Sequence, residues 1–234
     1  MSLEPISLNL PGENEYFTQE AYKTLRTNIQ FCGKNVRVIA VTSVRENEGK
    51  STVSLHIGRS FAELGKKVLV IDADMRKSVI AGRNTTANSP SGLSEYLTGL
   101  KGADECFYPV KDLNMKVVFS GLYPPNPVEL LNGESFSELI NECRQEYDYI
   151  IIDTPPLGQV IDAAVVATKC DGVIMVLGSK KVHYKEAQEL VDQIEKSGSK
   201  MLGIVLNHRN KSEKKYYYRK KYYKAYTSDA NNAK

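Results

Sequence analysis

The 234-residue sequence predicts an α/β protein, a doubly wound and mainly parallel sheet followed by a flexible C-terminal tail. Three observations carry this. Short β-branched runs, apolar on both faces, alternate with helical segments, the pattern of a parallel sheet covered on both sides. The first of these runs leads through a loop into a Gly-Lys-Ser helix start, and two later ones end in aspartate. Near residue 208 the alternation stops and a basic, tyrosine-crowded stretch begins.

In chain order, Glu13 to Phe31 reads as an amphipathic helix, with Phe17, Ala21, Leu25 and Ile29 four apart. Val36 to Val41 is β-branched and reads as a strand, followed by a turn and a helix from Ser51 to Leu64 that Gly65 stops. Lys67 to Ile71 is the second strand. Residues 77 to 92, rich in Ser, Thr, Asn and Gly, read as a mobile loop. Lys116 to Phe119 is the third strand and runs into the proline-rich stretch 121–127, which excludes regular structure. A helix over 134–146 precedes the strand Tyr149 to Ile152. Strands Val173 to Leu177 and Leu202 to Leu206 flank a helix from Tyr184 to Lys196. With no internal repeat and no linker before about residue 208, residues 1–207 form one domain and 208–234 a disordered tail.

Composition is that of an ordinary globular chain, 41% hydrophobic and 25% charged. No apolar run nears the roughly 20 residues of a membrane span, and the start lacks a signal peptide, so a cytoplasmic protein is expected. Cys32, Cys106, Cys143 and Cys170 are widely spaced with no nearby histidines, which favours reduced thiols over a zinc site. From Arg209 to Tyr226 eight Lys or Arg face one acid, a balance of +7. The whole chain is +3, so the rest is −4 and the positive charge sits in the tail.

The strongest chemical signal is the strand Val38 to Thr42 followed by Ser43-Val44-Arg45-Glu46-Asn47-Glu48-Gly49-Lys50-Ser51-Thr52. A strand–loop–helix of this kind turns backbone N–H groups and a helix dipole toward phosphate. Gly49 permits close approach, Lys50 reaches the β- and γ-phosphates of ATP, and the Ser51 hydroxyl suits Mg2+. Val44 stands where a standard Walker A loop has its first glycine, so this is a deviant P-loop NTPase motif, with Asn47 able to take up a left-handed turn. Asp72 and Asp74 close the second strand and Asp153 closes the strand Tyr149 to Ile152. Ligands bind at that edge of a parallel sheet, so Lys50, Asp72, Asp74 and Asp153 should converge on a magnesium nucleotide, with helix capping as the other reading of Asp74.

The Walker A loop, then V-L-V-I-D-A-D-M-R over 68–76 and Y-I-I-I-D-T-P-P over 149–156, resembles bacterial tyrosine kinases of capsule and exopolysaccharide loci. The resemblance runs from about Glu20 to the C terminus, and the second motif is its specific part. It implies a protein-tyrosine kinase using ATP and Mg2+, with phosphate held by the 43–52 loop, including Glu48, Gly49, Lys50, Ser51 and Thr52. It further implies Mg2+ on Ser51, Asp72 and Asp153, Asp72 as the base that takes the tyrosine proton, and Asp74 as a second claimant. Asn207 matches a position that contacts adenine in relatives, an ordinary turn being the other reading. Arg76 either orients phosphate or pairs with an acid.

The family's Glu-x-x-Arg-x-x-Arg helix, which builds a ring of subunits, reads Glu20, Lys23 and Arg26 here. The resemblance thus implies a ring-like homo-oligomer, an octamer being one such size. It also implies a separate membrane-spanning activator that recruits the kinase to the inner face of the membrane, and a tyrosine phosphatase as a further partner.

Six tyrosines, Tyr216, Tyr217, Tyr218, Tyr222, Tyr223 and Tyr226, fall within eleven residues interleaved with cations. No buried core needs that, and the stretch reads as a set of hydroxyl acceptors for autophosphorylation in trans. Ten to eighteen residues beyond Asn207 reach roughly 30 to 60 Å, enough for an adjacent subunit. Two other functions compete. A partition or positioning ATPase usually carries a lysine where Arg45 stands, and this tail lacks the aliphatic face of a membrane-binding helix. A nucleic-acid or anionic-surface binder fits the Lys/Tyr tail but leaves ATP without a purpose, so no nucleic acid is expected.

Overall fold

The computed structural model describes residues 3–84, 90–178 and 183–208. Its strands are β1 (Val38–Ser43), β2 (Val68–Asp72), β3 (Phe107–Pro109), β4 (Met115–Val118), β5 (Tyr149–Asp153), β6 (Gly172–Gly178) and β7 (Met201–Asn207). The helices are α1 (Tyr16–Phe31), α2 (Lys50–Ala62), α3 (Ile80–Asn84), α4 (Leu93–Leu97), α5 (Ala103–Cys106), α6 (Pro127–Asn132), α7 (Glu134–Glu146), α8 (Asp162–Ala167) and α9 (Tyr184–Lys196). The sheet order is β3-β4-β2-β5-β1-β6-β7, parallel throughout except for the β3–β4 pair. The doubly wound, mainly parallel architecture is therefore observed, with a short antiparallel strand added at one edge.

Alternation along each strand builds two cores, one per face of the sheet. Val38, Ala40, Leu69, Ile71, Ile150 and Ile152 meet Leu131, Phe136, Leu139 and Ile140 of α6 and α7 on one side. Ile39, Val41, Val68, Val70 and Ile151 meet Val53, Ile57 and Phe61 of α2 and Ile29 of α1 on the other. Phe61 stacks on Tyr149 with ring centroids 3.8 Å apart. No helix among the described residues is long and apolar enough to cross a membrane.

Gly58 lets α2 lie against the sheet. A Cβ there would stand 2.7 Å from Val70 Cγ2 and 3.2 Å from Met115 Cε. Alanine gains about 1 kcal/mol in helix propensity, but Val70 is fully buried and stiff about its branched Cβ. Overpacking should win, so Gly58→Ala is expected to lower stability by about 1–2 kcal/mol, read as a lower urea midpoint at unchanged slope.

Three expectations need correction. The first helix begins at Tyr16, because residues 10–15 form turns closed by Glu13 N–H to the Leu10 carbonyl and Glu15 N–H to the Gly12 carbonyl. Its apolar face is also rotated. An i, i+4 ladder advances about 40° per step, which leaves Phe17 half exposed while Tyr22, Leu25 and Ile29 pack inward. The segment 77–92 holds α3 and the start of the turn into α4, anchored by the buried Ile80, with Asn84 accepting the Asn9 N–H. The proline-rich stretch ends in α6, whose Pro127 occupies the first turn, where a missing N–H costs nothing.

Candidate active site

The site lies at the carboxyl ends of β1, β2 and β5, three adjacent strands. Strand register sets Asp72 directly beside Asp153. From β1 the chain enters a loop in which Asn47 (φ 60°) and Gly49 (φ 88°) both take left-handed backbone conformations. This curls the loop over the N-terminus of α2, whose first two residues are Lys50 and Ser51.

Glu48 fastens the loop from beneath. Its buried carboxylate accepts the Arg45 N–H at 2.8 Å and the Gly178 N–H at 2.9 Å, and its carbonyl accepts Asn207 Nδ2 at 2.9 Å. The Glu48 side chain and Asn207 thus brace the loop, tying it to the ends of β6 and β7. Thr52 Oγ1 accepts a 3.4 Å contact from Arg83 of α3. A Cβ on Gly49 would come within 2.2 Å of Asn207 Nδ2 at a φ that L side chains rarely adopt. Gly49→Ala is therefore expected to lower affinity for Mg-ADP by about tenfold or more, as strain and the lost Asn207 tie add, measured by calorimetry.

Lys50 converges with the three aspartates as the sequence predicts. Its Nζ lies 2.8 Å from Asp74 Oδ2 and 3.8 Å from Asp153 Oδ2. Burial acts to lower the Lys50 pKa, but Asp153 and Asp74 outweigh it, and the net shift is upward. Asp72 and Asp153 have no exposed surface. Burial pushes Asp72 up to about 8, with the adjoining Asp153 carboxylate adding to the effect. Asp153 is also raised by burial, against the pull of Lys50, Ser51 and Ser54.

Ser54 Oγ donates to Asp153 Oδ1 at 3.0 Å, leaving Asp153 Oδ2 buried without a hydrogen-bond partner. A buried carboxylate oxygen that takes no hydrogen bond and has only Lys50 at 3.8 Å, on a carboxylate close to Ser51, suits a hard divalent cation, so Ser51 and Asp153 fit magnesium. Both oxygens of Asp72 already take protein donors, Asp74 N–H on Oδ1 at 3.1 Å and the Ser78 hydroxyl on Oδ2. Asp72 is accordingly less open to direct ligation. Arg76 forms a two-point pair with the buried Asp162, Nε to Oδ1 at 2.9 Å and Nη2 to Oδ2 at 3.3 Å. Of its two sequence readings, the acid partner is the one observed.

The α1 residues behave differently from one another. Lys23 pairs with Glu20 in its own helix at 2.8 Å. Arg26 instead turns onto α2, where its Nη1 donates to the Ser60 carbonyl. Arg45 pairs with Glu186 of α9 through Nε at 3.1 Å and Nη2 at 2.7 Å. Tyr216, Tyr217, Tyr218, Tyr222, Tyr223 and Tyr226 lie outside the described residues. Sequence reading missed Ser54, Ser78, Asp162 and Glu186, the partners that hold the site. Only Ser54 carried a usable signal, since four residues beyond Lys50 it shares that helix face.

A family model described as an AAA domain matches residues 36–203. Tyrosine-protein kinase CpsD of Streptococcus agalactiae serotype III (strain NEM316) is 44% identical over 195 residues, covering 83% of this chain and 84% of that protein. Tyrosine-protein kinase YwqD of Bacillus subtilis (strain 168) is 34% identical over 212 residues, covering 90% and 85%. Among solved structures, the chimerical protein CapA2B2 superposes with a TM-score of 0.81 at 29% identity, covering 89% of this chain and 96% of that one. Together with a phosphate loop whose lysine meets carboxylates from two neighbouring strands, this likeness over most of the length shows that the chain belongs to the bacterial tyrosine-protein kinases and is itself a tyrosine kinase.

Proposed function

We propose that this kinase transfers the γ-phosphate of ATP to the tyrosines of its own segment 216–226, in trans, and through that modification regulates capsular or exopolysaccharide polymerisation and export. The observation that carries the reading is the buried Lys50 lodged between Asp74 and Asp153, with Asp72 alongside. Phosphoryl transfer demands positioning and charge neutralisation rather than covalent participation, and this arrangement supplies both. Lys50 and the N–H groups of the 43–52 loop bind and orient the phosphates. Ser51 and Asp153 would hold Mg2+, with Asp72 as a supporting carboxylate, and the ion would supply charge neutralisation on the phosphates. Asp72 accepts the tyrosine proton in its ionised form, the form that the Ser78 hydroxyl and Lys50 favour against burial. Asp74 keeps Lys50 in place, and Asn207 holds the loop at the adenine end.

Residues 1–207 serve as the catalytic domain and 208–234 as the substrate tail. Each phosphate adds roughly −1.5 to −2 charges, so full modification takes the +7 segment to net negative. That reversal suits a switch in assembly of a ring-like oligomer through Glu20 and Lys23, with Arg26 bracing the helix from behind. A membrane-spanning activator that recruits the kinase to the inner face of the membrane, and a phosphatase that resets the tail, complete the cycle.

The test is intact mass after incubation with Mg-ATP. Wild type should gain successive phosphates, and a truncation after Asn210 should gain none. Mixed with full-length Lys50→Met, the truncated enzyme should phosphorylate that inactive partner, as transfer in trans requires. ATP hydrolysis with no gain in mass on any tyrosine would refute the reading.

A further inference from the structure

Asp72 has no exposed surface, yet the proposed reaction needs it to receive a proton from a tyrosine arriving from solvent. Its Oδ1 is taken by the Asp74 N–H, and its Oδ2 accepts a close hydrogen bond from the Ser78 hydroxyl. Ser78 is half-buried, in a stretch where Arg76, Lys77 and Val79 are all exposed. It therefore both touches the carboxylate and reaches the surface. A serine hydroxyl donates one hydrogen bond and accepts two, so Ser78 can accept from a phenol while it donates to Asp72.

We propose that Ser78 is a proton relay between the acceptor tyrosine and Asp72, a role that rests on Asp72 being the base. The tyrosine oxygen forms its bond to the γ-phosphorus as the bond from that phosphorus to the β–γ bridging oxygen breaks, its electron pair leaving with ADP. The phenol proton passes to Ser78 Oγ while the Ser78 proton passes to Asp72 Oδ2. Ser78 ends unchanged and Asp72 ends one proton richer. The acceptor never has to enter the space between Asp72 and Asp153. The relay also explains why a base can sit fully covered while both its oxygens are held by the protein.

The experiment compares Ser78→Ala, Ser78→Thr and Asp72→Asn in the full-length kinase, measuring tyrosine phosphorylation, Mg-ADP affinity by calorimetry and the proton inventory in mixed H2O/D2O. Ser78→Ala should lower the transfer rate by about 100-fold or more with Mg-ADP affinity unchanged, and Ser78→Thr should restore most of it. The wild-type inventory should bow, because two protons move together. Transfer by Ser78→Ala within about threefold of wild type overturns the relay, as does a linear wild-type inventory. If Asp72→Asn transfers at the wild-type rate, the base assignment itself fails. If Asp72→Asn is inactive while Ser78→Ala is active, only the relay fails.

Discussion

Lys50→Met is expected to lower phosphoryl transfer to tyrosine by about 100-fold or more, because it removes a fixed charge from the place where phosphate charge develops. Methionine keeps most of the side-chain length and none of the charge. The loss should extend to folding stability in a pH-dependent way. Lys50 is the cation whose attraction offsets the burial of Asp153. Without it, Asp153 moves further up from its already raised pKa. An acid whose folded pKa lies above its unfolded value binds more protons when folded, so its contribution falls as pH rises from about 4 through the folded value. The deficit of the variant in thermal stability should therefore be smallest near pH 5 and widen to about 3–5 kcal/mol near pH 8. Intact mass and melting curves at the two pH values check both parts. A variant that melts in parallel with wild type at every pH would show that Lys50 does not hold Asp153 in its charged form.

The convergence of the candidate site was largely legible in the sequence because its parts lie on regular elements. Periodicity placed Asp72 and Asp153 at strand ends, and a parallel sheet sends adjacent strand ends to one edge. Their meeting in register follows from topology. Gly49 and Asn47 announced a left-handed loop through their chemistry alone. The partners of the site were hidden for a different reason. Ser78 and Asp162 lie in or next to irregular backbone, where no repeat fixes which way a side chain points, and their partners are 6 and 86 residues away. The edge strand β3 and helices α3, α4 and α5 are only three to five residues long. Segments that short do not complete enough periods to be told from loops. The contact of Arg26 was hidden because a three-residue spacing defines a face but not which face meets the body. In this fold that side of α1 rests on α2, so Arg26 finds the Ser60 carbonyl.

Asp72→Asn should separate chemistry from stability more sharply than any other single change. Transfer should fall by about 10²–10⁴-fold, the usual worth of a general base. Folding should be kept, because the amide can still satisfy both neighbours. Its oxygen accepts the Asp74 N–H, and its Nδ2 donates to Ser78 Oγ once that hydroxyl rotates. Stability at alkaline pH should rise. Burial, with Asp153 beside it, lifts Asp72 to about 8. Between about pH 4 and 8 the folded wild type therefore binds a proton that the unfolded chain has released, and its stability declines across that window. Asparagine has no proton to lose, so the decline disappears. At about 1.4 kcal/mol per pH unit, the variant should match wild type near pH 5 and exceed it by about 2–4 kcal/mol at pH 8. Asp171 and Glu95, whose pKa values are held down by Arg144 and by Ser94 and neighbouring backbone N–H groups despite partial burial, act on the acid side instead. Their contributions are present above their unfolded values and vanish as pH falls through the lower folded ones, outside the window that reports on Asp72. Melting curves of both proteins from pH 5 to 8 decide the matter. Parallel curves would mean that Asp72 is ionised throughout and carries no cost. Diverging curves would mean that the wild type keeps a destabilising carboxylate for the sake of the proton it accepts, the trade expected where catalysis and stability compete for one residue.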